Sequence, residues 1–210
     1  MKMKHRPIFH GGNLHSDYEF VQFHFHWGSV DSQGSEHTID GVSFPGELHL
    51  VHYRNDYGSL KKAIQYQDGL AVLGVMLQLS SKDNSKLQKV IDGLHNIHKD
   101  GADDAITPFA LEDLLPSNTN QFFRYQGSLT TPTCNEVVVW TVFSTPITIS
   151  SKQLDELRKL KDHEGHHIKD NFRPLQVLNT RKRGESESEE FVTIPDPIKS
   201  GRQPPLTPTN

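Results

Sequence analysis

The stretch Q-F-H-F-H-W-G, Gln22 to Gly28, sets two histidines on alternate residues of an aromatic run, and E-L-H-L-V-H, Glu47 to His52, sets two more among aliphatic residues. Side chains on a β-strand point alternately to its two faces. Read as strands, the first run puts Gln22, His24 and His26 on one face and Phe23, Phe25 and Trp27 on the other. The second puts Glu47, His49 and Val51 on one face and Leu48, Leu50 and His52 on the opposite one. If the two strands are neighbours, His24, His26 and His49 converge. Three neutral imidazoles with a fourth position open are the donor set of a catalytic zinc ion, with Zn–N bonds of about 2.0–2.1 Å. Each ligating imidazole needs a partner for its other ring nitrogen. Gln22 and Glu47, two residues ahead of a ligand on the same face, are placed to supply one. Spacing alone leaves copper and nickel open, as well as two unrelated strands with solvent-facing histidines.

The elements that must position these residues are mostly strands. Tyr18–Trp27, Gly46–Tyr53, Gly69–Ser80, Asn135–Phe143 and Pro146–Ser150 are β-rich runs bounded by turn residues. Two segments have helical spacing: 85–99, with Leu87, Val90, Ile91, Leu94 and Ile97 behind Ser85, and 150–160, with Leu154, Leu157 and Leu160 behind Ser150 or Ser151. The remainder reads as loop. The fold class is therefore mainly β with peripheral helices. At 210 residues the chain is long enough for one domain with its own core. Residues 1–182 carry these patterns. In 183–210 four glutamates between Glu185 and Glu190 precede five of the twelve prolines, a composition that predicts a disordered tail. A formal charge of −4 gives no electrostatic reason to expect nucleic acid. No apolar run is long enough to span a membrane, and no signal peptide is visible. The single cysteine, Cys134, excludes an internal disulfide and a cysteine-rich zinc site.

A rival motif is H-E-G-H-H, His163 to His167, a literal H-E-x-x-H. On a helix it would place two zinc ligands and the base Glu164 of a metalloprotease. The apolar stripe of the preceding helix stops at Leu160, however, and Gly165 and polar neighbours give the motif loop character. His95 and His98 read as solvated histidines on a helix surface.

Taken in order, Q-F-H-F-H-W-G, G-S-E-H-T-I-D-G, E-L-H-L-V-H-Y, D-G-L-A-V-L-G-V and G-S-L-T-T-P-T resemble the alpha-class carbonic anhydrases, from about Ile8 to Arg181 without a large insertion. The resemblance implies a central twisted, mostly antiparallel sheet and reversible hydration of carbon dioxide to bicarbonate and a proton. It implies Zn2+ held by His24, His26 and His49; carbonic anhydrase is itself the reference case for a zinc-bound water whose pKa falls to about 7. Thr130 matches the family threonine that accepts a hydrogen bond from the zinc-bound hydroxide and donates its own to a buried glutamate, matched by Glu36. That order suits a carboxylate, which only accepts. Val51, Val72, Leu129, Val138 and Trp140 match an apolar wall for carbon dioxide, and Thr131 a second pocket threonine. Gln22, His37, Glu47 and Tyr125 match residues that hold the site in shape. Without the family, Val51, Val72, Val138 and Trp140 would read simply as core.

The departures from the family carry expectations of their own. The family domain normally has a large segment ahead of the stretch matching Pro7 to Gly12, with the histidine that relays protons in fast members. The chain is thus expected to be an N-terminally incomplete form that turns over slowly or not at all. An anhydrase-like binding module with weak or no turnover is the second class of function left open. Thr133 stands where the family has a second proline, normally after a cis bond. Cys134 stands where secreted and membrane-bound relatives carry a cysteine paired near the N-terminus. That implies a parent protein that is extracellular or exoplasmic.

Overall fold

The computed structural model describes residues 6–98, 105–177 and 184–187. Eight strands among them form one mixed sheet: β1 (Ile8–Phe9), β2 (Tyr18–Trp27), β3 (Gly46–Arg54), β4 (Leu70–Ser80), β5 (Gln121–Gly127), β6 (Val138–Phe143), β7 (Ile147–Ser150) and β8 (Gly184–Glu187). Their order is β1-β2-β3-β4-β6-β5-β8, with β7 also on β4. Strands β1 to β4 run antiparallel in sequence. β4 pairs parallel with β6 along its first half and with β7 along its second, so the chain leaving β6 continues along the same edge of β4. β5 is antiparallel to β6.

Alternation divides the core in two. Leu48, Leu50, Ala71, Leu73, Val75, Leu77, Phe122 and Phe143 face one cluster. Helices α2 (Gln88–Leu94) and α3 (Ser151–Arg158) cover it with Val90, Ile91, Leu94, Leu154 and Leu157. Val51, Val72, Met76, Val138, Trp140 and Val142 face the other. A bulge between Phe20 and Gln22 in β2 changes the phase of that strand. Tyr18 and Phe20 before it share the helix-covered face with Phe23 and Phe25 after it, which leaves Gln22, His24 and His26 for the second face.

Several elements depart from the sequence reading. β5 was expected to be loop: its adjacent Phe122 and Phe123, with Arg124 and Gln126, break the alternation that marks a strand. Helix α2 covers only Gln88–Leu94 of the expected 85–99, and a one-turn helix, α1, occupies Leu60–Ala63. For α3 the cap is Ser150, whose hydroxyl accepts from the Gln153 amide in a reciprocal capping box. Of the expected tail, Gly184–Glu187 pair with the open edge of β5, whose backbone groups would otherwise lack partners; 188–210 lie outside the described residues. The Pro132–Thr133 peptide bond is cis, and Cys134 is a half-buried free thiol.

His52 lies on the helix-covered side, packed on the rings of Phe9 at 5.2 Å and Phe20 at 5.5 Å. Burial pushes its pKa from 6.5 down to about 4, so the folded form is neutral. The unfolded ring takes up its proton near 6.5. Its contribution is therefore complete above that pH and is lost as pH falls towards 4, by about 3 kcal/mol at 1.36 kcal/mol per unit. Urea unfolding at a series of pH values is expected to show His52→Leu losing less stability over this window than the parent chain, by roughly that amount. Equal losses would contradict it.

Candidate metal centre

Strand register assembles the second face in rows. Gln22, Val51, Val72, Trp140 and Tyr125 lie opposite one another across five strands, and His24, His49, Gly74, Val142 and Phe123 form the next row. His26, Glu47 and Met76 form the third. His24 and His49 are thus direct cross-strand partners, with ring centroids 5.2 Å apart. His26 lies 5.0 Å from His24 and 4.6 Å from His49. One ring nitrogen from each of the three falls within 4.8 Å of the others, and His26 Nε2 and His49 Nδ1 are 3.1 Å apart.

The opposite nitrogen of each ring has a partner that only accepts. His24 Nδ1–H donates to Gln22 Oε1 at 2.9 Å, and His26 Nδ1–H to the Asn171 carbonyl at 2.8 Å. His49 Nε2–H donates to Glu47 Oε1 at 2.8 Å. These bonds set three tautomers whose remaining nitrogens, His24 Nε2, His26 Nε2 and His49 Nδ1, present lone pairs to one another. His24 and His26 are held neutral. Burial, then the proximity of His49 and His26, pushes His24 down to about 3. Burial and His49 likewise lower His26.

Glu47 anchors this arrangement. It is 0% exposed. Oε1 accepts from His49 and from His37 Nδ1–H at 2.6 Å, and Oε2 accepts from the backbone amides of Glu36 at 2.9 Å and His37 at 2.8 Å. Full burial alone would raise its pKa, but His37 and His49 together outweigh burial and hold the carboxyl well below its ordinary range. His37 in turn accepts at Nε2 from the Tyr125 hydroxyl at 2.5 Å. Trp140 packs on His49 at 4.7 Å and His37 at 4.9 Å, its indole N–H donating to the Ser128 carbonyl at 3.0 Å. His37, Glu47 and His49 also have donor atoms within 4.8 Å, but their hydrogen bonds to one another already occupy those atoms.

Glu36 supplies a second carboxylate. Its Oε1 accepts from the Arg173 amide at 2.7 Å. Oε2 is buried without a hydrogen-bond partner, 3.5 Å from His26 Nε2 and 3.9 Å from His49 Nδ1. Three imidazoles with tautomers fixed by their hydrogen bonds, beside a carboxyl oxygen without a hydrogen-bond partner, fit a divalent borderline cation such as zinc.

The other expected site residues divide. Thr130 lines a cavity of about 510 Å3 with Glu36, His37, Tyr125 and Arg173, but makes no hydrogen bond to Glu36. Val51, Val72, Val138 and Trp140 are buried in the cluster beside the histidines, with Leu129 packed against it. Thr131 is exposed and does not line that cavity. The H-E-x-x-H residues follow the end of α3 in an exposed turn, with Gly165 at a φ of +85° and an isolated bridge between Lys161 and His167. They share no helix face.

Sequence reasoning missed three contributors. Asn171 holds β2 with its carbonyl on His26 and its Oδ1 on the Trp27 amide at 2.7 Å. Arg173 orients Glu36 through its backbone N–H and bonds Ser128 Oγ at 3.2 Å. Gly74 faces Glu47: a Cβ there would stand 2.9 Å from Oε1. The first two act from a loop 145 and 137 residues beyond their targets, which periodicity does not reveal.

Residues 1–185 match the eukaryotic-type carbonic anhydrase family. A Caenorhabditis elegans protein provisionally named carbonic anhydrase 5 is 43% identical over 178 residues, 84% of this chain and 57% of its own length. Carbonic anhydrase 3 of Homo sapiens is 39% identical over 180 residues, 84% of this chain and 68% of the human protein. The chain thus spans under three fifths of the first relative and about two thirds of the second.

Replacing one acceptor oxygen of Glu47 with an amide forces an N–H against groups that only donate. Glu47→Gln is therefore expected to weaken zinc binding by about 10–100-fold, measured by competition with a chromophoric chelator. Gly74→Ala, which crowds the same oxygen, should weaken it in the same direction. Parent-like affinity in both variants would contradict the anchoring role of Glu47.

Proposed function

The chain belongs to the eukaryotic-type carbonic anhydrase family, and from that premise we propose that it catalyses the zinc-dependent, reversible hydration of carbon dioxide to bicarbonate and a proton. The observation that carries this reading is the convergence of His24, His26 and His49 with each outer nitrogen already hydrogen bonded. A zinc ion held there supplies a hydroxide nucleophile from water near neutral pH.

The chain's own residues supply orientation and exclusion of water. Glu36 has one oxygen fixed by the Arg173 amide, so its unpartnered Oε2 is the acceptor left for a neighbouring hydroxyl. Thr130, on the wall of the same cavity, would supply that hydroxyl, although the two make no hydrogen bond in this structure. Donating to Glu36 leaves Thr130 only lone pairs on the other side, so it accepts from the attacking oxygen and aims it. Carbon dioxide is apolar. Val51, Val72, Leu129, Val138 and Trp140 form the apolar surface beside the three histidines, and Thr131, exposed in the structure, is the second threonine of this reading. Gln22, Glu47, His37 and Tyr125 keep the rings in place.

Purified protein is expected to hold close to one zinc per chain, and the His24→Ala/His26→Ala pair to hold none. In stopped-flow hydration assays Thr130→Ala should lower kcat/KM by about 100-fold with zinc content unchanged, the scale for removing one positioning hydrogen bond at a reacting oxygen. Full zinc content in the histidine variant would refute the metal assignment. Zinc-loaded parent protein without hydration activity would leave a zinc-binding module instead.

A further inference from the structure

A second cluster of imidazole and carboxylate side chains lies on the far side of the sheet, where α2 meets α3. His95 caps the C-terminus of α2 and His98 follows three residues later, their ring centroids 5.8 Å apart. Both aim Nε2 at one oxygen of Glu156 on α3: His95 at 3.4 Å and His98 at 3.5 Å from Oε2. Neither Glu156 Oε2 nor His98 Nε2 forms a hydrogen bond, although both atoms are buried. The other oxygen, Oε1, accepts from Lys159 Nζ at 2.6 Å, a bond that holds the carboxyl below its ordinary range. Oε2 is therefore an anion at neutral pH, facing two imidazole nitrogens across gaps too poorly aligned for hydrogen bonds.

Two buried polar atoms that face each other at 3.5 Å without a hydrogen bond have only part of their desolvation cost offset. A cation bound between them would relieve both. Two imidazoles and one carboxylate, with a position open to solvent, are also an established donor set for zinc. We propose that His95, His98 and Glu156 form a second, exchangeable zinc site that fastens α2 to α3. The donors are set more widely than at the first centre. The side chains of His95 and His98 are 56% and 30% exposed, so both rings have room to rotate onto one ion. The nearby Lys159 ammonium opposes binding, and the site is accordingly the weaker of the two. It ties together elements 61 residues apart in sequence at their mutual contact, so its occupancy acts on stability.

The test is zinc titration of the full-length chain by isothermal calorimetry, with thermal unfolding at one and at several equivalents. The parent is expected to take up one more zinc than the His95→Gln/His98→Gln variant, and Glu156→Gln to weaken that uptake by at least about tenfold. The rise in Tm beyond the first equivalent should vanish in the double variant. Both histidines are part-exposed and the apolar helix contact is untouched, so circular dichroism should show the variants folded. Equal zinc uptake by parent and double variant, whether one ion or two, would overturn the proposal. The comparison does not depend on the first centre: if His24, His26 and His49 bound nothing, both totals would fall by one and the difference would remain.

Discussion

The Glu47 carboxylate is the constraint on which the rest of the site depends. A buried carboxylate is tolerated only when its lone pairs are met, and here four donors meet them: two imidazole N–H groups and two backbone amides. Each bond has a structural consequence. The bond from His49 fixes which nitrogen of that ring is bare. The bond from His37 starts a chain that ends on Tyr125. The two amide bonds hold Glu36 and His37 against β3, which brings the Glu36 carboxylate beside His26 and His49. Even the backbone opposite conforms, since Gly74 leaves the space that the Glu47 side chain fills.

The sheet makes this possible because its register is unambiguous. One face of β2, β3 and β4 carries His24, His26 and His49, and the other, His52 apart, carries an apolar surface under two helices, so a slip of one residue would bury those three imidazoles among leucines. The bulge in β2 serves the same end by letting aromatic residues on both sides of it point into that surface. The loop 168–173 closes the end of β2. Ile168 accepts from the Trp27 indole at 3.0 Å, Asp170 from Ser29 at 2.8 Å, and Asn171 from both His26 and the Trp27 amide.

What was legible in the sequence follows from this geometry. The convergence of His24, His26 and His49, with Gln22 and Glu47 behind them, could be read because alternation is a local rule and all five residues lie in two strands. The same rule placed His52 on the other side. β5 was not legible, since its Phe-Phe pair hides the period and its place is set by pairing to β6. Asn171 and Arg173 were not legible either: each meets a side chain more than 130 residues away through its own backbone group, and a backbone carbonyl or amide has no residue type to betray it. His95 and His98 read as solvated surface residues, and only the packing of α3 on α2 brings Glu156 to them. The H-E-x-x-H motif shows the converse, a pattern legible in letters with no helix to give it a face.

The central claim is that hydrogen bonds fixed by the fold, Glu47 foremost, preset three imidazole tautomers so that their lone pairs meet at one point. It is tested most directly by 15N NMR of the histidine side chains in the metal-free chain at neutral pH. The account predicts His49 protonated on Nε2 and bare at Nδ1, with His24 and His26 protonated on Nδ1 and bare at Nε2. A His49 ring protonated on Nδ1, or three rings averaging between tautomers, would contradict it.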